Sequence, residues 1–200
     1  MSTIQIRIPN WLDLIFACPL LAYRLLRVGC AYRRIYLDEG KWTILDPDDY
    51  YLFARFKWCI GGYKNKYYAV RSQIIGPEDI RIVRLHRLIM NAPDGVLVDH
   101  VNGDSLDNRK CNLRLATRSQ NQYNKRKAKN TSSRFKGVYF RKNRGMWIAY
   151  IVAGKKIWLG SFYSEIEAAR AHDQAAVKHH GEFARLNFPE ENSLSAARCP

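Results

Sequence analysis

Three short runs of alternating apolar and polar residues, 134–142, 146–152 and 155–163, are separated only by Arg144-Gly145 and Ala153-Gly154. Connections that short join antiparallel strands, because a parallel pair needs a crossover of a dozen or more residues. The next run opens on Ser164-Glu165-Ile166-Glu167, the pattern of a helix capping box, and stops at Gly181. Its Ala168, Ala169, His172, Ala175 and Ala176 fall on one face, and small alanines let a helix lie close on a sheet. Three antiparallel strands and a packed helix make a complete small α+β unit of about sixty residues.

Upstream, residues 34–37 and 41–45 read as strands around an Asp-Glu-Gly turn. Asp46-Pro47-Asp48 is a helix start, an N-cap with proline at the first helical position, leading into a helix over residues 50–56. Gly61-Gly62 reads as a break before strands at 67–75 and 79–85, and Leu85, Leu88 and Ile89 have helical spacing. A strand over 95–100, a tight turn at Asn102-Gly103-Asp104 and a second strand over 112–117 follow. Thr117 is placed to cap a polar helix that runs to about residue 129. The polar run 129–133 has no apolar period and reads as a boundary. The expected organisation is an apolar, amphipathic segment 1–30, a domain over 31–128, a linker 129–133, a second domain over 134–190 and a tail 191–200.

Charge divides the chain more sharply than apolar pattern does. Residues 109–164 hold fifteen Lys or Arg and no Asp or Glu, and the other 18 basic residues cancel the 18 acids. The net charge of +15 therefore lies entirely in this stretch. A solubilising surface mixes signs, whereas a long one-signed stretch fits phosphates. With 47% apolar residues the chain has the means to fill cores, which excludes wholesale disorder. The five cysteines have neither zinc nor redox spacing and are expected to be reduced thiols.

The N-terminal region is expected to be a helix whose Trp11, Leu14, Ile15 and Phe16 pack on the protein or touch a membrane surface. Its uncharged run, residues 14–23, is half the length a span requires. Arg7 is the only basic residue ahead of it, and Asp13 and Pro19 break a signal-peptide pattern. The expectation is a cytoplasmic, intracellular protein with no membrane partner.

The segment Val98-Asp99-His100-Val101-Asn102-Gly103-Asp104 carries the chemistry. A hairpin crossed by the next helix brings Asp99, His100 and Asn121 to one point. Carboxylate and amide oxygens suit Mg²⁺ or Mn²⁺, and a neutral imidazole beside them suits a general base acting on water. Asp99-His100, Asn112 in Asn-Leu-Arg and Asn121 in Ser-Gln-Asn-Gln together resemble the ββα-metal core of HNH endonucleases, in the phage and homing variant that ends on Asn. The lead-in Leu85-His86-Arg87-Leu88-Ile89-Met90 is similar as well. The resemblance implies that Asp99 and Asn121 hold one divalent cation and that His100 deprotonates water. It implies too that Asn112 bonds the backbone across the hairpin loop and so orients His100. His86 stays between two roles, a phosphate contact and a structural helix histidine.

Alternation along the last three strands sets Trp147, Ala149, Ile151, Ile157 and Leu159 toward the helix, and Tyr139, Arg141, Tyr150, Lys156 and Trp158 on the opposite face. An outward tryptophan beside lysine and arginine suits stacking on sugar or base edges between phosphate contacts. Phe135-Lys136-Gly137-Val138, Trp147-Ile148-Ala149, Trp158-Leu159-Gly160-Ser161-Phe162, Glu167-Ala168-Ala169-Arg170-Ala171-His172-Asp173 and Leu186-Asn187-Phe188-Pro189 resemble the AP2/ERF DNA-binding domain. The resemblance implies Lys136, Arg141, Lys156 and Trp158 at the DNA, and Tyr139 is expected to join them by its place on the same face. Tyr139 and Val152 stand where plant members carry arginine, so plant target sequences do not transfer.

The two resemblances together imply a two-domain α+β endonuclease. It would hydrolyse double-stranded DNA with a His base and one Mg²⁺ or Mn²⁺, take no small-molecule substrate, and act as a monomer or weak dimer. The rival expectation is a non-catalytic transcriptional regulator with a decayed nuclease core.

Overall fold

The computed structural model describes residues 10–28, 31–63, 66–128 and 131–189. They form two compact units, one of residues 10–85 and 106–110, the other of 86–105 and 111–189.

The first unit opens on α1 (Asn10–Val28), which contains Pro19. No described helix is long and apolar enough to cross a membrane. The side chains of Trp11, Leu14, Ile15 and Phe16, expected to pack or touch a membrane, lie outside the described residues. β1 (Arg33–Tyr36) pairs antiparallel with β2 (Trp42–Leu45), and α2 (Pro47–Phe53) starts after Asp46 as its proline predicts. β3 (Cys59–Tyr63), β4 (Lys66–Ile74) and β5 (Ile80–Arg84) form an antiparallel sheet in that order.

Gly61 and Gly62 lie inside β3 rather than breaking the chain ahead of the sheet. A Cβ on Gly61 would stand 2.6 Å from Val70 Cγ2, and one on Gly62 would stand 1.8 Å from the Lys66 carbonyl oxygen. Paired glycines here mark a close approach between strands, which in sequence looks the same as a turn.

Residues 106–110 belong to this unit through a buried polar cluster. Thr43 Oγ1 donates to the Leu106 carbonyl at 2.7 Å and accepts from Asn108 Nδ2 at 2.7 Å, and Asn108 N donates to the Ile44 carbonyl at 2.7 Å. Thr43 and Asn108 are fully buried. Arg109 pairs with the buried Asp107 through Nε at 2.8 Å and Nη2 at 2.7 Å. Lys110 Nζ lies 3.0 Å from Asp49, whose carboxylate holds the ammonium above its ordinary pKa.

α3 (Leu85–Ile89), whose first residue closes the first unit, leads in the second to the antiparallel pair β6 (Leu97–His100) and β7 (Leu113–Ala116), then α4 (Arg118–Tyr123). Thr117 caps α4 reciprocally: its side chain accepts from Gln120 N at 3.2 Å, and Gln120 Oε1 accepts from Thr117 N at 2.8 Å. The helix stops at Asn124, short of residue 129. Lys125, Arg126 and Lys127 follow, and consecutive like charges offer a further turn no apolar face to bury.

β8 (Val138–Arg141), β9 (Met146–Ala153) and β10 (Lys155–Phe162) form the expected antiparallel sheet with β9 central. α5 (Glu165–His180) packs on it as expected. The core is Val138, Ala149, Ala168 and Ala169, ringed by Phe135, Trp147, Leu159, Phe162 and Phe188. Ser164 stands at the N-cap of α5, yet makes no side-chain cap bond, so the expected capping box does not form. Glu165 instead accepts from Ser133 Oγ at 2.7 Å and Arg134 N at 3.0 Å, tying the strand entry to the helix start.

The units do not divide at residues 129–133, where the polar run reads as a linker. Segments from both sides of that run share the second unit. The Tyr123 ring stacks on His180 at 3.7 Å between centroids, and Arg114 Nη1 donates to the Glu182 carbonyl. Lys136 Nζ donates to the Tyr123 carbonyl. Polar composition marks a surface segment and carries no information about what packs beside it. Cys111 is disulfide-bonded, against the expectation of reduced thiols, while Cys18 and Cys59 are free. Spacing along the chain does not reveal which thiols meet in space.

Candidate functional site

His100 ends β6 opposite Leu113 and is buried. The chain turns immediately after it: Gly103 N donates to the His100 carbonyl at 2.9 Å, and Asn102 Oδ1 accepts from Asp104 N at 2.7 Å. Gly103 sits at φ +77°, a conformation that favours glycine. Asn112, almost fully buried, closes the far side of the loop. Its Oδ1 accepts from Asn102 N at 2.9 Å and its carbonyl from Val101 N at 2.9 Å. His86, also buried, meets His100 edge to face, with centroids 5.2 Å apart and planes at 76°.

Asp99 is 5% exposed and directly faces Arg114 across the hairpin. Its Oδ2 accepts from Arg114 Nε at 2.9 Å and Nη2 at 2.7 Å. Asn124 Nδ2 lies 3.1 Å from each carboxylate oxygen and donates to the His100 carbonyl at 2.8 Å. The Arg114 guanidinium also stacks 4.0 Å over the Phe183 ring. Asn121 is half-buried in α4, its amide N–H bonded to the Thr117 carbonyl. Three residues before Asn124, it shares that residue's face of the helix.

Carboxylate and amide oxygens are donors that suit a small hard cation, but the amide that touches Asp99 is Asn124, and among the described residues no hydrogen bond joins the Asn121 side chain to it. An ionised carboxylate offers about four lone-pair positions, and the Arg114 and Asn124 donors leave Oδ1 with one to spare. One carboxylate oxygen and one amide oxygen, completed by water and phosphate, is the manner in which Mg²⁺ is held. Among the described residues no three His, Cys, Asp or Glu side chains converge, so a cage built wholly of such ligands is not formed there.

The strand register bears out the two faces of the three-stranded sheet. Tyr139 pairs with Ile148, Arg141 with Met146, Trp158 with Tyr150 and Lys156 with Val152. Trp158 is 67% exposed. Lys156 Nζ stands 3.9 Å from the Tyr150 ring centroid and 5.3 Å from that of Tyr139, a cation held over two aromatic faces. Ile148 shares this register yet is buried. Lys136 stands apart from the face: it precedes β8, and burial, then the neighbouring Arg185, lowers its pKa to about 8.

Sequence reasoning missed Asn124, Arg114 and Arg185. Asn124 was legible as the same residue type one turn after Asn121, and Arg114 by counting register back from the turn. Arg185 Nη1 donates to the Asn102 carbonyl at 3.3 Å, a contact across 83 residues that no local pattern announces.

Residues 83–123 match the HNH endonuclease family model. Over 157 residues the chain is 29% identical to an uncharacterized HNH endonuclease of Acanthamoeba polyphaga mimivirus, covering 74% of this chain and 76% of that protein. It is 37% identical over 73 residues to dehydration-responsive element-binding protein 2A of Oryza sativa subsp. indica, covering 35% of this chain and 26% of that one. It is also 42% identical over 65 residues to an AP2-like ethylene-responsive transcription factor of Arabidopsis thaliana, covering 32% of this chain and 13% of that one. The chain thus spans about a quarter or less of these plant relatives. Both resemblances read from the residues are borne out, the second over a C-terminal portion.

Proposed function

We propose that this protein is a divalent-metal-dependent endonuclease of double-stranded DNA, directed to its substrate by the AP2/ERF-like sheet. The observation that carries this reading is the placement of Asp99 and His100, both buried, at the end of β6, beside a loop fastened by Asn112, inside the stretch that matches HNH endonucleases. His100 takes the proton from the attacking water as general base. Asn112 keeps the turn after His100 closed, so the imidazole is aimed by the backbone that carries it. Asp99 and Asn121 are the residues that would hold one Mg²⁺ or Mn²⁺. When bound there, such an ion supplies Lewis-acid stabilisation of charge on the scissile phosphate. Tyr139, Arg141, Lys156 and Trp158 hold the duplex through stacking and phosphate contacts, and Lys136, off that face and ahead of β8, adds a phosphate contact of its own. One site per chain suits nicking by a monomer within the cell.

The second reading is a DNA binder that does not cut. The engagement of Asp99 by Arg114 and Asn124 favours it, since a guanidinium and a metal ion compete for one carboxylate. Supercoiled plasmid incubated with the purified protein and Mg²⁺ or Mn²⁺ separates the two. Conversion to nicked or linear DNA that EDTA abolishes is the expected result. Retardation without conversion under both ions leaves the binder.

A further inference from the structure

A cavity of about 280 Å³ lies in the second unit, lined by Arg126, Lys127, Arg134, Phe135, Lys136, Arg185, Leu186 and Asn187. Five of these are cations and none is an acid. Arg134 Nε lies 3.8 Å from Glu165, whereas among the described residues no carboxylate lies within ion-pair distance of Arg126, Lys127, Lys136 or Arg185. Converging like charges repel, and an anion seated between them relieves that repulsion. The strain registers on the groups themselves. Lys136 is depressed by burial and by Arg185, and Arg185 by burial and by Arg126. Asp173 and Asp99 act in the opposite sense on Lys136 and Arg185 without lining the cavity.

The cavity also has a fixed relation to the hairpin. Arg185 bonds the Asn102 carbonyl, two residues beyond His100. A methyl group on Gly103 would stand 3.5 Å from Arg126 Nε and 3.9 Å from Arg185 Nη1. Asn187, which exchanges hydrogen bonds with the Lys136 backbone at 2.7 and 3.1 Å, holds the two lining segments side by side. The volume admits a tetrahedral phosphate, and the guanidinium and ammonium donors match its oxygens.

We infer that this cavity is a phosphate site that grips a backbone phosphate of the bound duplex beside the His100 turn, so that residues far apart in the chain position DNA for the hairpin. The inference rests on the proposed DNA-cleaving function, and its test does not use cleavage. Full-length parent and Arg126→Gln/Lys127→Gln protein are titrated with a duplex over a series of salt concentrations without divalent metal. Thermal melting of both is followed with and without inorganic phosphate.

Each lost phosphate contact lowers the slope of log Kd against log salt by about 0.9. The expected result is a slope smaller by about 1–2 and an affinity loss equal for unrelated sequences. An unchanged slope and affinity overturns the proposal. So does a melting gain with inorganic phosphate that the variant loses while its DNA slope stays put, which assigns the cavity to a free anion. Should the double variant fail to fold, Lys127→Gln/Arg134→Gln is read in the same way. The expected slope change between parent and variant, in a protein whose parent form never cuts DNA, upholds the phosphate site and removes only the nuclease reading. A parent that does not bind DNA overturns both.

Discussion

At the scale of single residues, the hairpin end concentrates buried polar groups, Asp99 held by Arg114 and Asn124 and Asn112 bonded across the loop. Asp99, His100 and Asn112 are each less than 10% exposed, at the edge of a two-stranded sheet that offers little apolar cover. His100→Ala should lower plasmid cleavage by roughly 10²–10⁴-fold, the usual worth of a positioned base. Duplex affinity at fixed salt should hardly change, since the fifteen basic residues of 109–164 remain. Equal cleavage rates for parent and variant would falsify the assignment of the base. Gly137 makes a different kind of demand. It sits at φ +74°, and a Cβ there would stand 1.9 Å from Cδ2 of the buried His172. Gly137→Ala should therefore cost about 3 kcal/mol or more, read as a lower urea midpoint at unchanged slope.

Among the elements, α4 and α5 show how the same cap signature produces two outcomes. Thr117 and Gln120 close both reciprocal bonds, whereas Ser164 makes none and Glu165 is taken up by Ser133 and Arg134. Thr117→Ala should cost about 1 kcal/mol, while Ser164→Ala should change stability by no more than a few tenths. Equal losses in chemical denaturation would contradict the observed caps. α4 has only six residues, too few to persist without tertiary support, so its cap matters for holding Asn121 and Asn124 against the hairpin. α5 is longer and secured by its alanine face against the sheet. Asp173 on that helix accepts from Asn187 N at 2.8 Å and Phe188 N at 2.8 Å, which fastens the segment carrying Arg185.

For the whole molecule, charge is the main variable. Lys156→Ala/Trp158→Ala should weaken duplex binding and reduce its salt slope while leaving melting near that of the parent, because Lys156 and Trp158 are exposed. Unchanged binding would remove the sheet from the DNA interface. Lys136 adds a pH dependence whose sign is set by its depressed pKa. Below about pH 8 the lysine is protonated both folded and unfolded, and the folded chain bears the full penalty of burying charge. From about 8 up to the unfolded value of 10.5 the unfolded chain binds the extra proton, so stability from this group rises with pH. Subtracting the stability of Lys136→Met from that of the parent should give a difference that climbs over this window. A flat or falling difference would show that Lys136 is not buried as charge.

Alternation and turn chemistry are local, and they were enough to place β8, β9, β10 and α5, the two faces of that sheet, and the hairpin bearing Asp99 and His100. The bond of Asn112 across the loop came from the resemblance to HNH endonucleases rather than from any local pattern, and the structure shows it to the Asn102 amide. What tertiary structure alone decided lies where contacts span long stretches of chain. Glycines at 61 and 62 sit within a strand where Val70 and Lys66 leave no room for a Cβ, and residues 106–110 joined the first unit through Thr43. The polar run 129–133 did not separate the chain, because Tyr123, Arg114 and Asn102 meet His180, Glu182 and Arg185. Periodicity reports which face of an element is buried, not which distant segment buries it, and long-range pairing is where that information enters.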